Sequence, residues 1–239
     1  MLIKEIPIGK NPPNNVNVII EVPTGGEPVK YEFDKASGAL FVDRILHTPM
    51  RYPANYGFIP HTLSPDGDPL DALVVARSPF MPGSVVRARP IAVLNLEDEH
   101  GGDEKVVCVP DTATFPYYTD VREKEDMPDI VFAQIEHFFT HYKDLETEKW
   151  VRIGKWGNAE EARTRAALER TGLSRPVSAC MASRMVDRLS LVQLQRLGRL
   201  GKLQQAGSFD EFLRRTRALG DPEILGVVSS SGLICAVRN

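Results

Sequence analysis

The chain of 239 residues is poor in several things, and each shortage excludes a class of protein. It has three cysteines, Cys108, Cys180 and Cys235, odd in number and widely spaced. Neither a disulfide framework nor a zinc ligand set is indicated, and a reducing compartment fits best. No run approaches the ~18 apolar residues that a membrane span requires. The segment Met1 to Lys10 lacks a basic region followed by an apolar block, so residence in the cytoplasm is expected. A large net charge is missing too: 29 Lys and Arg against 32 Asp and Glu leave −3, far from the cationic excess of a polyanion-coating protein. A Gly-rich loop ending in Lys-Ser/Thr is absent, which removes the usual sign of nucleotide binding.

What is present divides the chain. Sixteen of the 18 prolines lie in residues 1–128, and the segments between them are short and alternating. Asn17–Val22, Val29–Phe33, Ala39–Val42, Val85–Leu96 and Lys105–Val109 read as strands, enough for a small barrel or sandwich. After Pro128 the period becomes helical. Val131, Ile135, Phe138, Phe139 and Tyr142 share one face of a helix that should pack on the strands. Asn158 is a good N-cap for a second helix running to about Arg170, with Gly172 as its stop.

Charge sets the last part aside. Residues 1–172 hold 19 basic and 27 acidic side chains, a balance of −8, whereas 173–239 hold 10 and 5, a balance of +5. In this tail Leu191, Leu194, Leu197, Leu200 and Leu203 recur every third residue, which drifts about 60° per step around a helix and smears the stripe. Phe209–Leu219 reads as a helix ended by Gly220. Ile224–Val228 and Leu233–Val237 read as a hairpin-like pair around a turn at Ser229 to Gly232, making the appendage a small α/β unit without a catalytic motif.

The most informative stretch is Asp66-Gly67-Asp68-Pro69-Leu70-Asp71, followed by the apolar run Ala72–Ala76. Gly67 and Pro69 favour a turn on which three carboxylates can converge, and Mg²⁺ selects such oxygen ligands. Taken alone, a solvated acidic turn is the commoner explanation of so short a motif. Two further features shift the balance. Asp98 and Asp103 flank a Gly101-Gly102 turn between strong strands. Lys30, Arg44, Lys105 and Lys143 stand beside aromatic or acidic residues. Carboxylates and cations together suit a metal-bound phosphate. His137 and His141 are four apart on a helix but lack the Glu of a zinc-protease signature, and packing or subunit contact explains them better. Ser64 and Cys108 have no base partner in the sequence, so no nucleophile is assigned.

With these motifs the sequence resembles the soluble family I inorganic pyrophosphatases, most closely the bacterial type. The resemblance covers residues 1–172 and leaves 173–239 as an extension of unknown role. It rests on Asp66 to Ala72, Lys30-Tyr31-Glu32, Ser37 to Leu40, Val42-Asp43-Arg44, Tyr52 to Gly57 and His141 to Leu145. It implies a mainly β α+β fold, a five-stranded OB-like barrel with flanking helices. It also implies that Asp66, Asp71 and Asp103 hold one metal, with Asp71 shared by a second, and that Asp98 joins Asp103 at a further one. Glu21 and Glu32 then support metals or complete the acidic cavity. Lys30, Arg44, Tyr56, Lys105, Tyr142 and Lys143 contact phosphate, and Asp68 is the proton acceptor. The implied activity is Mg²⁺-dependent hydrolysis of inorganic pyrophosphate by a metal-activated water, with several ions per site, no nucleic acid and no membrane partner. Bacterial members are typically homohexamers with contacts near His137 and His141, so a homo-oligomer is expected. A non-catalytic sensor of divalent ions, or a phosphohydrolase acting on a nucleotide or a phosphodiester, are the competing functions.

Overall fold

A computed structural model describes residues 3–62, 68–99, 101–168, 175–190, 193–194, 196–197 and 209–238. Nine strands lead the chain: β1 Val16–Val22, β2 Val29–Phe33, β3 Leu40–Ile45, β4 Asn55–Phe58, β5 Asp71–Val74, β6 Val85–Asp98, β7 Gly101–Gly102, β8 Lys105–Pro110 and β9 Val151–Asn158. Helix α1, Asp129–His141, precedes β9, and α2, Ala159–Leu168, follows it. The tail contributes α3 Arg175–Arg188, α4 Phe209–Ala218 and α5 Pro222–Arg238.

Five strands close on themselves. β1 pairs antiparallel with β4, β4 with β5, β5 parallel with β8, β8 antiparallel with β6, and β6 returns to β1. β7 and β9 add to the far end of β6, while β2 and β3 form a separate hairpin. All seven residues of β1 are buried, Asn17 and Glu21 included, so the alternation read in Asn17–Val22 does not separate a wet face from a dry one. The approach of β1 to β4 is so close at Gly57 that a Cβ there would lie 1.9 Å from the Ile19 carbonyl oxygen. Glycine is the one residue that fits this pairing.

Alternation decides which face each ring residue serves. In β5 and β8, Leu73, Val107 and Val109 pack toward α1, together with Phe132, Ile135, Phe138 and Phe139. Their neighbours Ala72, Val74, Val106 and Cys108 pack the other way, with Ala162 and Ala166 of α2. The strand period of two thus assigns one face to each helix. Asn158 caps α2 as expected, its Oδ1 accepting the Glu161 amide at 2.9 Å. The anticipated stop at Gly172 lies outside the described residues.

Three expectations about the tail are corrected or narrowed. Ile224–Val228 and Leu233–Val237 are not a hairpin: both belong to α5, so the described tail is helical rather than α/β. The buried positions Ile224, Val227, Val228, Ser231, Gly232 and Cys235 follow a helical period. Two of the small residues taken for a turn face the interior, where α5 packs on α3. Cys180 and Cys235 form a disulfide between these helices, contrary to the expectation of none. An odd count and wide spacing hide the pair, because the two cysteines are 55 residues apart and only helix packing brings them together, and the cysteine argument for a reducing compartment loses its basis. Of the three-residue leucine series, Leu194 and Leu197 are buried in the tail core. Leu191, Leu200 and Leu203 lie outside the described residues.

Candidate active site

The ring, the β2–β3 hairpin and the end of α1 enclose a cleft of about 470 Å³. Twelve of the thirteen residues singled out above line it: Glu21, Lys30, Glu32, Arg44, Tyr56, Asp68, Asp71, Asp98, Asp103, Lys105, Tyr142 and Lys143. The thirteenth, Asp66, lies outside the described residues. The two acidic segments, far apart in the chain, therefore open onto one space.

Topology explains the convergence. Asp71 begins β5 on the same face as Leu73, and Lys105 begins β8 on the same face as Val107. Because β5 and β8 run parallel side by side, their starts meet. Lys105 Nζ bridges the two acidic segments, 2.5 Å from Asp71 Oδ2 and 2.5 Å from Asp103 Oδ1. At the end of β6, Lys143 Nζ lies 3.0 Å from Asp98 and 3.2 Å from Glu99. From the hairpin, Lys30 stands 3.2 Å from Asp43 and 3.3 Å from Glu32. Arg44 approaches Glu146 at 3.7 Å.

Electrostatics favours cations in this space. Glu21 is buried on β1 and its carboxyl is pushed up to about 8, chiefly by loss of water. The Phe33 amide, donating to Glu21 Oε1 at 2.8 Å, opposes this, and the like charge of Asp71 adds to it. Burial, reinforced by Asp71 for Tyr56 and by Asp103 for Tyr142, holds both phenols far above their ordinary range. They remain neutral donors at any physiological pH. Arg44 is held above its usual value: burial acts to lower it, but Glu146 and neighbouring groups prevail.

The donor chemistry fits hard divalent ions, which take oxygen ligands and keep several waters. Among the described residues no three His, Cys, Asp or Glu side chains close on a single point. Carboxylates instead come in pairs, each pair holding an ammonium, as at Asp71 and Asp103 or Asp98 and Glu99. The carboxylates available to divalent ions are Asp71, Asp98 and Asp103, with Glu21 and Glu32 lining the same cleft.

Sequence reasoning passed over Lys35, Asp43, Tyr52, Glu99 and Lys149, which also line the cleft. Lys35 sits at the hairpin tip, and only the return of β3 turns it toward Asp68. Glu99 directly follows Asp98, and its adjacency was the one signal available.

A cleft walled by paired carboxylates, ammonium groups and neutral phenols has the donor chemistry of a site for a small, highly charged oxyanion. The profile of the inorganic pyrophosphatase family matches residues 18–169. The inorganic pyrophosphatase of Rhodospirillum rubrum is 60% identical over 162 residues, covering 68% of this chain and 90% of that protein. That of Caulobacter vibrioides is 53% identical over 175 residues, covering 73% and 97%. Among solved structures, inorganic pyrophosphatase from Thermus thermophilus superposes with a TM-score of 0.65 at 42% identity, covering 70% of this chain and 96% of that one. The Helicobacter pylori enzyme gives 0.63 at 44%, covering 66% and 92%. The chain belongs to the inorganic pyrophosphatase family and is a hydrolase. Its C-terminal extension is unmatched. Among the described residues no helix is long and apolar enough to cross a membrane.

Proposed function

We propose that the chain hydrolyses inorganic pyrophosphate to two orthophosphates with Mg²⁺, and that residues 1–172 carry the reaction while 173–239 carry none of its chemistry. The observation that supports this most is the meeting of Asp71, Asp98 and Asp103 with Lys30, Arg44, Lys105 and Lys143 around one cleft. When bound, Mg²⁺ supplies charge neutralisation and acidifies water in its shell. Asp68 stands at the cleft and accepts the proton of the attacking water. Lys30, Arg44, Lys143 and the phenols of Tyr56 and Tyr142 hold the phosphoryl oxygens and disperse the charge of the leaving phosphate. Lys105 keeps Asp71 and Asp103 together. Attack on one phosphorus with cleavage of the bridging P–O bond leaves two phosphates and needs no covalent enzyme intermediate.

The closed ring of five strands supports its description as an OB-like barrel. Homo-oligomer formation, in the hexameric pattern, is part of the same reading. The outer side of α1, with Ile130 exposed and the His137 and His141 rings 4.6 Å apart, suits a subunit contact.

Phosphate release from pyrophosphate and from ATP, each with Mg²⁺ and with chelator, tests the reading. Rapid release from pyrophosphate alone, abolished by chelator, is expected. Equal release from ATP would assign a broader phosphohydrolase, and binding of Mg²⁺ without turnover would assign a sensor.

A further inference from the structure

The buried pair formed by Glu104 and Arg165 lies behind the cleft. Asp103 and Lys105 open onto the cleft, whereas Glu104 between them faces the opposite side of the sheet. There its Oε1 lies 2.7 Å from Arg165 NH1 of α2. The two side chains are 7% and 1% exposed. The same guanidinium donates to Asn95 Oδ1 of β6 at 3.1 Å and stands 3.8 Å from Glu161, one helical turn away. One side chain thus joins the start of β8, the middle of β6 and helix α2.

An ion pair is a poor choice if filling space is all that is required. Replacing a buried pair by well-packed apolar residues is often neutral or stabilising. What the apolar version lacks is a tether: a methyl group fixes volume, whereas the guanidinium also holds the Glu104 carboxylate by charge at 2.7 Å while its own orientation is set by donation to Asn95 Oδ1. The tether matters here because successive strand residues point to opposite faces. Any roll of the backbone at Glu104 swings the carboxylate of Asp103 and the ammonium of Lys105 across the cleft.

We infer that Glu104 and Arg165 are positioning residues for the hydrolytic site. Anchored from the far side of the sheet, they set the aim of Asp103 and Lys105 and so the affinity of the cleft for Mg²⁺ and its turnover. Neither touches substrate. The inference rests on the function proposed above and extends it to a pair that no cleft-lining argument reaches.

The test is the full-length double variant Glu104→Leu/Arg165→Met beside Arg165→Met and the parent. Three quantities are read: melting temperature in chelator, the rise in melting temperature on titration with Mg²⁺, and kcat and KM for pyrophosphate. Arg165→Met alone strands a buried carboxylate and should melt lowest. The double variant should melt near the parent yet require about tenfold or more Mg²⁺ for the same rise and lose about tenfold or more in kcat, the effect expected of groups that orient ligands. Parental melting with parental Mg²⁺ titration and kcat would reduce the pair to a structural role and overturn the inference. If the double variant does not fold, Glu104→Gln is read in the same way: weaker Mg²⁺ binding supports positioning, and unchanged binding overturns it. A parent that is stabilised by Mg²⁺ but releases no phosphate would defeat the proposed function, while the titration still judges the pair.

Discussion

The ammonium of Lys35 stands 3.0 Å from Asp68 Oδ1, across the gap between the hairpin tip and the loop before β5. It is also 3.4 Å from Glu32, so the hairpin presents a cation to the carboxylate assigned as proton acceptor. The Lys35 ammonium is held above its ordinary pKa: partial burial acts to lower it, but Asp68 and the nearby glutamates prevail. Lys35→Met should lower kcat about tenfold, the size of one charge-assisted hydrogen bond, with little change in melting temperature because partly exposed ion pairs add little stability. Steady-state kinetics beside a thermal melt checks both halves. Unaltered kcat would remove Lys35 from the site.

Asp68 and Asp71 have different surroundings and should fail differently. Asp68→Asn removes a proton acceptor and should cost about 10²–10⁴ in kcat with Mg²⁺ binding largely retained. Asp71 is bound to Lys105, and Asp71→Asn should weaken Mg²⁺ affinity and turnover together. Each lost decade of rate corresponds to about 1.4 kcal/mol. Isothermal titration with Mg²⁺, paired with kinetics, separates the two patterns; full activity in both variants would void the site assignment.

Glu21 makes the metal-free protein sensitive to pH. Its carboxyl sits at about 8 in the fold against 4.5 for the ordinary group, mainly through burial. The folded state therefore holds a proton that the unfolded chain has released, and stability falls as pH rises from about 4.5 to about 8. The full interval is worth on the order of 5 kcal/mol. In chelator, Glu21→Gln should flatten this decline and leave the variant more stable than the parent at pH 8. Denaturant melts across pH 5 to 9 measure it, and an identical slope in both proteins would contradict the assignment.

The disulfide between Cys180 and Cys235 closes a loop across 55 residues of the tail. Cross-links of that span typically stabilise by about 2–4 kcal/mol. Cys235→Ser should therefore loosen the tail by an amount of that order and hasten its proteolysis. Pyrophosphate turnover should stay at the parental level, since the tail core lies apart from the cleft. Limited proteolysis with and without reductant, followed by an activity assay of the intact variant, tests both statements.

Legibility in the sequence followed the range of the interactions. β2 was read with its observed bounds, and β6 and β8 to within two residues, because prolines and turns bracket their apolar runs. β4 has four residues and offered too short a period. β9 was hidden by its exposed Arg152 and Lys155 and by Gly154 and Gly157. Gly157 is there for packing, since a Cβ would lie 2.7 Å from Val93 Cγ1. The carboxylates and most cleft cations were legible as motifs with fixed local spacing. Which cation faces which acid was not, because Lys105 with Asp71, Lys35 with Asp68 and Arg165 with Glu104 are joined by strand pairing and helix docking rather than by nearness in the chain. The tail misled for a related reason: Ser231 and Gly232 resemble turn residues, and only the neighbouring helix shows that small size is what the contact requires.

Each of the five ring strands has a hydrogen-bonded neighbour on either side, so unzipping has no terminal strand in that ring from which to start. Fraying should begin instead at the β2–β3 hairpin, whose strands pair only with each other. The backbone beneath Asp71 and Lys105 should thereby be among the last to yield to heat, proteases or deuterium exchange, so that a molecule that has lost its periphery keeps the floor of its cleft.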